Sequence, residues 1–262
     1  MKQLYYTQKD AQEWASFSGD YNPIHFDLEW VNMRGGRQLS VHGMRALLDA
    51  KQFASEQLCQ QILPVPNYVK CAVRLRHPLW NMTPYSLVAK NKRGSVEIVS
   101  PQEQHSCLTC QLSLLENDDI HQTVLTDSIS IEVLAQLQTL FSSFSNEAYE
   151  WQFIDAVLFQ YLINDEAVLR QKAIARWLPE GSTLNDIFSQ YSIIQTHQEV
   201  IFDRDFLQTW LVEDAILEPI KLSIQPALVL GDKESGLLVS IKIIANYQNK
   251  FISSSITLKI DL

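Results

Sequence analysis

Gly43-Met-Arg-Ala-Leu-Leu-Asp-Ala-Lys-Gln-Phe-Ala-Ser-Glu-Gln-Leu58 reads as one long helix, with Met44, Leu47, Leu48 and Leu58 as its apolar residues. Pro64 and Pro66 stop it. Four strand-like runs follow, at residues 68–76, 85–91, 95–100 and 105–115. A long helix laid against several antiparallel strands is an α+β pattern. Upstream, Leu4-Tyr5-Tyr6 reads as a short strand and Thr7 as an N-cap. Ala11, Trp14 and Ala15 then fall at i, i+3 and i+4, the stripe of a helix ending near Phe17. Residues 18–40 read as loop, broken by Gly19, Pro23, Gly35 and Gly36.

The same order recurs downstream. Residues 129–131 suit a strand, 133–141 a short helix and 149–163 a long apolar helix. After a connection around Pro179 and Gly181 come strand-like runs at 191–202, 219–229, 237–247 and 251–260. A shift of 124 residues places Phe17-Ser18 on Phe141-Ser142 and Asn22 on Asn146. Element order carries more weight here than identity, because each half needs a helix wrapped by its own sheet. The chain therefore divides into two similar halves, 1–120 and 121–262, with the junction within 117–130.

The chain has 262 residues, 46% of them hydrophobic and 19% charged, which is a globular and not a disordered composition. Thirty acids against twenty-one bases leave a net charge of −9, which argues against a nucleic-acid surface. No apolar run approaches the roughly 20 residues that span a bilayer. The polar start Met1-Lys2-Gln3 lacks a signal-like apolar stretch, so the cytoplasm is the expected compartment. Cysteines 59, 71, 107 and 110 are then expected as free thiols. Cys107-Leu-Thr-Cys110 has CxxC spacing, but on a strand residues three apart point to opposite faces. Core or edge cysteines are the better reading than a metal or redox pair. No GxSxG, Walker-type glycine loop or HExxH occurs.

Chemistry concentrates in Phe17-Ser-Gly-Asp-Tyr-Asn-Pro-Ile-His25 and in Val41-His42-Gly43-Met44. Asp20 and His25 lie five apart on a loop that Pro23 stiffens and Gly19 allows to turn. A carboxylate and an imidazole so placed can share one water, one accepting a proton and the other giving one. Gly43, at a helix start, offers an unpaired N–H and a positive dipole end to an oxygen gaining negative charge.

These residues resemble the hydratase 2 signature of the MaoC-like family, the (R)-specific enoyl-CoA hydratases. The pattern, an aromatic shortly before S-G-D-x-N-P-[LIV]-H, is met at Phe17, Ser18, Gly19, Asp20, Asn22, Pro23, Ile24 and His25. The V-H-G-M block is similar to that family too. One position departs, Val31, where the pattern prefers Ala or Ser. The resemblance implies a double hot-dog fold, each half a long helix wrapped by an antiparallel sheet. It implies a hydro-lyase of fatty acid metabolism that adds water reversibly to 2-enoyl thioesters of CoA or acyl carrier protein, giving 3-hydroxyacyl thioesters. Asp20 and His25 would be the catalytic pair and Gly43 the oxyanion donor. Asn22 would brace the loop and contact substrate, and His42 would shape the turn. No metal or redox cofactor is implied.

In the second half the equivalent register replaces Asp20 by Phe144 and His25 by Tyr149, so that half would line the acyl pocket without a dyad. In eukaryotic double hot-dog hydratases the live half is the C-terminal one; here it is the N-terminal one. Arg34, Arg37, Arg45 and Lys51 surround the motif and suit CoA phosphates, an acidic carrier protein or plain solvent. Arg74 and Arg76 alternate toward solvent, and His77, His105, His121 and His197 have no partner at ligand spacing. Two other functions stay open. A hot-dog thioesterase would use Asp49 or Glu56 on the long helix, and a non-catalytic acyl-binding subunit would keep the loop for structure. Association into a homodimer stays open too.

Overall fold

The computed structural model describes residues 1–59, 67–100, 102, 105–115, 123–178, 183–188, 190–212, 216–232 and 234–261, with the backbone alone at Trp210. Pro64, Pro66, His121, Pro179 and Gly181 lie outside them. The chain opens with strand β1 (Lys2–Tyr5) and helix α1 (Gln8–Ser18). Thr7 caps α1 as expected, accepting from the Asp10 N–H while the Asp10 carboxylate takes the Thr7 N–H in return.

The stretch 18–40 departs from the expected loop. It holds a single 3-10 turn, Pro23–His25, and a short helix α2 (Leu28–Met33). The Asp27 carboxylate accepts the Trp30 N–H and so supplies the cap that starts α2. A six-residue helix is too short for its apolar period to register, which is why spacing missed it.

Helix α3 (Gly43–Cys59) follows, then β2 (Tyr68–Leu75), β3 (Pro84–Ala89), β4 (Ser95–Ser100) and β5 (His105–Leu115). Next come β6 (Asp127–Ile129), α4 (Ile131–Ser142), β7 (Glu147–Tyr149) and α5 (Glu150–Asn164). The expected strand at 129–131 is displaced, because Ser130 already caps α4 through the Val133 N–H. Short helices α6 (Ala167–Arg170), α7 (Lys172–Ala175) and α8 (Leu184–Phe188) lead to β8 (Ser192–Asp203) and β9 (Thr209–Leu211). The expected run 219–229 is two strands, β10 (Ile220–Ile224) and β11 (Leu228–Asp232), parted at Pro226, which has no N–H for a ladder. Strands β12 (Gly236–Tyr247) and β13 (Lys250–Asp261) complete the chain.

Ten strands form one antiparallel sheet in the order β1-β3-β4-β5-β2-β8-β13-β12-β10-β6, and β11 pairs with β12 at its side. The two five-strand blocks mirror each other about the β2–β8 seam, which runs from Tyr68 opposite Asp203 to Arg74 opposite His197. Each block has the same history: edge strand, helix, long helix, seam strand, then three strands that fill the space between. This is the double hot-dog fold. Among the described residues no helix is long and apolar enough to cross a membrane.

The long helices differ in their exposure. Helix α3 buries one broad face, Met44, Leu47, Leu48, Ala54 and Leu58. Helix α5 buries nearly every residue from Glu150 to Ile163, because α3, α4, α8 and the sheet surround it. Phe17 of α1 meets Phe141 of α4 at 5.5 Å between ring centres, so residues 124 apart in sequence touch across the pseudo-twofold. Trp151 of α5 stacks on Phe202 of β8 at 4.5 Å.

A charge is sealed into this interface. Lys51, expected near the motif surface, is instead fully buried, its Nζ 2.5 Å from Asp155 Oδ2 and 2.8 Å from Gln198 Oε1. Gln198 Nε2 donates to Asp155 Oδ1 (3.0 Å) and Ser254 Oγ (3.1 Å). The network ties α3 of the first half to α5, β8 and β13 of the second. Such a pair gains little over an apolar core, yet removing one member strands the other charge without water.

The CxxC cysteines are core residues as expected, and only the expectation that they point to opposite faces is corrected. Cys107 and Cys110 are both buried. Ile98 pairs with Leu108 and Val99 with Ser106, so Cys107 is the extra residue of a β-bulge that turns its thiol inward. Cys110 Sγ lies 3.6 Å from Cys71 Sγ, and neither thiol is in a disulfide.

Replacing Lys51 by Met should cost about 3–5 kcal/mol in urea unfolding, with Lys51→Met/Asp155→Leu recovering most of it. Equal losses in the single and double variants would contradict this account.

Candidate functional site

Helix α1 ends in Gly19, at φ +82°, a left-handed conformation that lets the chain reverse without strain. The loop beyond it is closed by its own side chains. Ser18 Oγ accepts the Asp20 N–H, Asp20 Oδ1 accepts the Asn22 N–H, and Asn22 Oδ1 accepts the Ile24 N–H. Asn22 thus braces the loop, as expected, through its side-chain oxygen. Pro23 starts the 3-10 turn that delivers His25.

The second strip is Ser40-Val41-His42, held against the loop by Ser40 N–H to the Ile24 carbonyl and against the β2–β3 connection by Val41 N–H to the Leu79 carbonyl. Two crossed bonds then join the strips. His25 Nδ1 lies 2.9 Å from the Ser40 carbonyl oxygen, and His42 Nε2 lies 3.0 Å from the Asp20 carbonyl oxygen. A carbonyl only accepts, so His25 carries its proton on Nδ1 and His42 on Nε2. His25 Nε2 and His42 Nδ1 are left bare, and His42 Nδ1 is buried with no partner. The rings stack at 3.6 Å between centres.

Asp20, His25 and His42 are all buried, with one ligating atom of each within 4.8 Å of the others. Two hydrogen bonds of about 2.8 Å to one water span about 4.6 Å, a length that falls under that 4.8 Å limit. Burial pushes the Asp20 carboxyl up from its ordinary 3.8, His25 and the Asn22 N–H pulling it back down. Burial pushes His25 down from 6.5, with Asp20 and the Ser40 carbonyl pulling it up. The two groups are drawn toward one another in proton affinity, which suits a proton passing between them. Burial holds His42 well below 6.5, and His25 beside it adds to the shift.

The same trio has the residue types of a metal site. Its geometry does not suit one: the stacked rings are tilted by only 26°. In-plane lone pairs of two nearly parallel rings do not converge on a point about 2 Å from each nitrogen.

Gly43 opens α3 beside His42, where the first N–H groups lack intrahelical acceptors. A Cβ there would stand 2.8 Å from Leu75 Cδ2, so the glycine makes room for β2. Val31, the departure from the signature, is buried, and a Cβ on Gly36 would stand 2.5 Å from its Cγ1. The branched side chain fills the space the glycine leaves.

Several expected partners are employed elsewhere. Arg45 bonds Asp49 (3.0 Å) and Asp10 (3.1 Å), so its guanidinium is committed to an internal ion-pair cluster and is corrected as a substrate ligand. Asp49 also takes the Tyr6 hydroxyl at 3.1 Å, and Glu56 is exposed beside Gln52. Arg34 lies over the Trp30 ring at 3.7 Å, and Arg37 is exposed. Arg74 and Arg76 face solvent as read. His77 and His105 do find a partner, each other, at 4.1 Å between ring centres. Phe144 joins an aromatic cluster with Trp14, Phe17 and Phe141, and Tyr149 is buried at the head of α5, so apolar packing occupies the second half's equivalent positions.

Sequence reasoning missed Ser40, whose carbonyl sets the His25 tautomer, and two asparagines of the second half. Asn164 Nδ2 donates to the Ser18 carbonyl (2.8 Å) and Asn185 Nδ2 to the Gly19 carbonyl (2.6 Å). No local signal marks an asparagine for a partner 146 or 166 residues away.

No family model and no curated protein matches the chain. Solved structures similar to it include a MaoC-like dehydratase (10% identity, 99% of this chain and 95% of that one, TM-score 0.46). A putative oleoyl thioesterase from Lactobacillus plantarum aligns at 8% identity over 100% and 96%, TM-score 0.48. A conserved hypothetical protein from Mycobacterium tuberculosis, described as having a double hot-dog fold, aligns at 8% over 99% and 94%, TM-score 0.46. At these values the functional reading rests on the chain's own residues.

Both imidazoles sit below their ordinary 6.5, so below that pH the unfolded chain takes up protons that the folded one refuses. Stability should fall with falling pH from about 6.5, by at most about 1.4 kcal/mol per pH unit for each imidazole. The raised Asp20 carboxyl opposes this, holding its proton longer in the folded state. His42→Gln keeps a donor for the Asp20 carbonyl but cannot titrate. Urea unfolding at about pH 7 and pH 5.5 should show a smaller loss in that variant than in the wild type.

Proposed function

We propose that this hot-dog protein is an (R)-specific hydratase or dehydratase interconverting 2-enoyl and 3-hydroxyacyl thioesters of CoA or an acyl carrier protein. One observation carries the reading: Asp20 and His25 are buried together with one ligating atom of each within 4.8 Å of the other, and the Ser40 carbonyl takes His25 Nδ1 and leaves Nε2 as its free nitrogen. The (R) sense and the thioester class are supported by the signature at residues 17–25. In this reading residues 1–120 are the catalytic half and 121–262 the half that has lost the dyad.

Water held between the carboxylate and Nε2 adds its oxygen to C3 as a proton leaves to the dyad. The C2=C3 electron pair moves into the thioester, whose oxygen gains charge against the N–H groups at the start of α3. C2 then takes a proton from the dyad. The net change is H on C2 and OH on C3, with no electron gained or lost, so no redox group is called for. Dehydration runs the same steps backward. Asp20 keeps the imidazolium paired while it exists, and Ser40 keeps the ring from turning.

A thioesterase would need a carboxylate free to activate water. Asp49 is held by Tyr6, Arg45 and Lys2, and Glu56 stands exposed, so neither supports that reading. Arg34 and Arg37 are the remaining cations on which we place the phosphates of the thiol or an acidic carrier surface.

Purified protein should consume crotonyl-CoA with loss of the enoyl thioester absorbance and without release of thiol. Asp20→Asn and His25→Ala should each lower kcat by about 10²–10⁴ while circular dichroism stays that of the wild type. Wild-type rates in either variant, or release of free thiol, would overturn the assignment.

A further inference from the structure

The dyad belongs to the first half, but two main-chain groups just ahead of Asp20 are held by the second. The last carbonyls of a helix have no intrahelical donors, and those at the end of α1 need partners from elsewhere. Ser18 is fully buried. Its carbonyl takes one N–H of Asn164, the last residue of α5, at 2.8 Å, while the same Nδ2 also donates to the Gln160 carbonyl at 2.8 Å. The Gly19 carbonyl takes Asn185 Nδ2, from α8, at 2.6 Å. The amides also meet each other, Asn185 Nδ2 to Asn164 Oδ1 at 3.4 Å. Contact is tight, since a Cβ on Gly19 would stand 3.0 Å from Asn164 Oδ1.

We infer that Asn164 and Asn185 are positioning residues for Asp20, and that the half without a dyad completes the site by clamping the loop that carries it. The inference rests on the hydratase reading. Both amides donate to main-chain oxygens and neither touches the dyad, so they act through the backbone. Two peptide units ahead of Asp20 are pinned from outside, the first buried and the second in left-handed conformation. From Asp20 onward the loop is braced by its own side chains and by His42. Freed at Ser18 and Gly19, the braced unit can shift as a body relative to α3 and Gly43. Misplacement on the order of 1 Å costs a reaction of this kind about 100-fold.

The test compares wild type with Asn164→Asp and Asn185→Asp, which keep side-chain shape but set an oxygen against each carbonyl, and with Asn185→Ala. Steady-state kinetics with crotonyl-CoA should show kcat lowered about 10- to 100-fold and KM changed less than about threefold. Hydrogen exchange should rise in residues 18–25 and stay unchanged in α3. Wild-type kcat in all three variants, or unchanged exchange in residues 18–25, would overturn the clamp. Loss of α3 protection along with the loop would also overturn it, as that reports general unfolding. A wild type that exchanges as expected yet leaves crotonyl-CoA untouched would sink the hydratase reading instead, and the exchange comparison then decides the clamp by itself.

Discussion

Two crossed hydrogen bonds hold the Asp20–His25 loop against the start of α3. His25 reaches from its loop to the Ser40 carbonyl, and His42 reaches from the start of α3 to the Asp20 carbonyl. Each bond satisfies a buried main-chain acceptor and at the same time decides a tautomer. Because the rings stack, neither strip can slide without breaking both bonds. The arrangement joins the α1 terminus to the α3 terminus, the two places where a helix leaves main-chain groups unpaired.

The rest of the architecture presents those termini to one another. The β2–β8 seam and the buried Lys51–Asp155–Gln198 network set how the second half lies against the first. Where the first half carries Asp20 and His25, the second packs Phe144 among aromatics and buries Tyr149. That exchange of polar for apolar groups accompanies a short connection between α4 and α5, against the long one between α1 and α3.

Much of the fold was legible because its elements carry strong local patterns. The stripe of α3, the alternation of β2 and β4, and the Thr7 cap placed these elements within a residue or two. The Asp20/His25 loop was legible for a different reason, its resemblance to a known signature at residues 17–25, and in the fold its residues brace each other over short distances, Asp20 to Asn22 and Asn22 to Ile24. What spacing missed was either too brief to show a period, as α2, or decided by a distant partner. Pairing with β4 makes the bulge that turns Cys107 inward. Arg45 and Lys51 look alike on one helix, yet one meets Asp10 and the other Asp155 from the far half.

By itself the amino-acid sequence determined two helix-and-sheet halves, a braced loop with an acid and an imidazole, and a glycine opening a helix. Those features depend on neighbours within a few residues. Tertiary structure alone decided which nitrogen of each imidazole is bare, which cations are free, and that Asn164 and Asn185 grip the loop ahead of Asp20. The physical reason is that hydrogen bonds and buried charges are settled by whichever groups the fold brings within about 3 Å, and separation along the chain does not encode that distance.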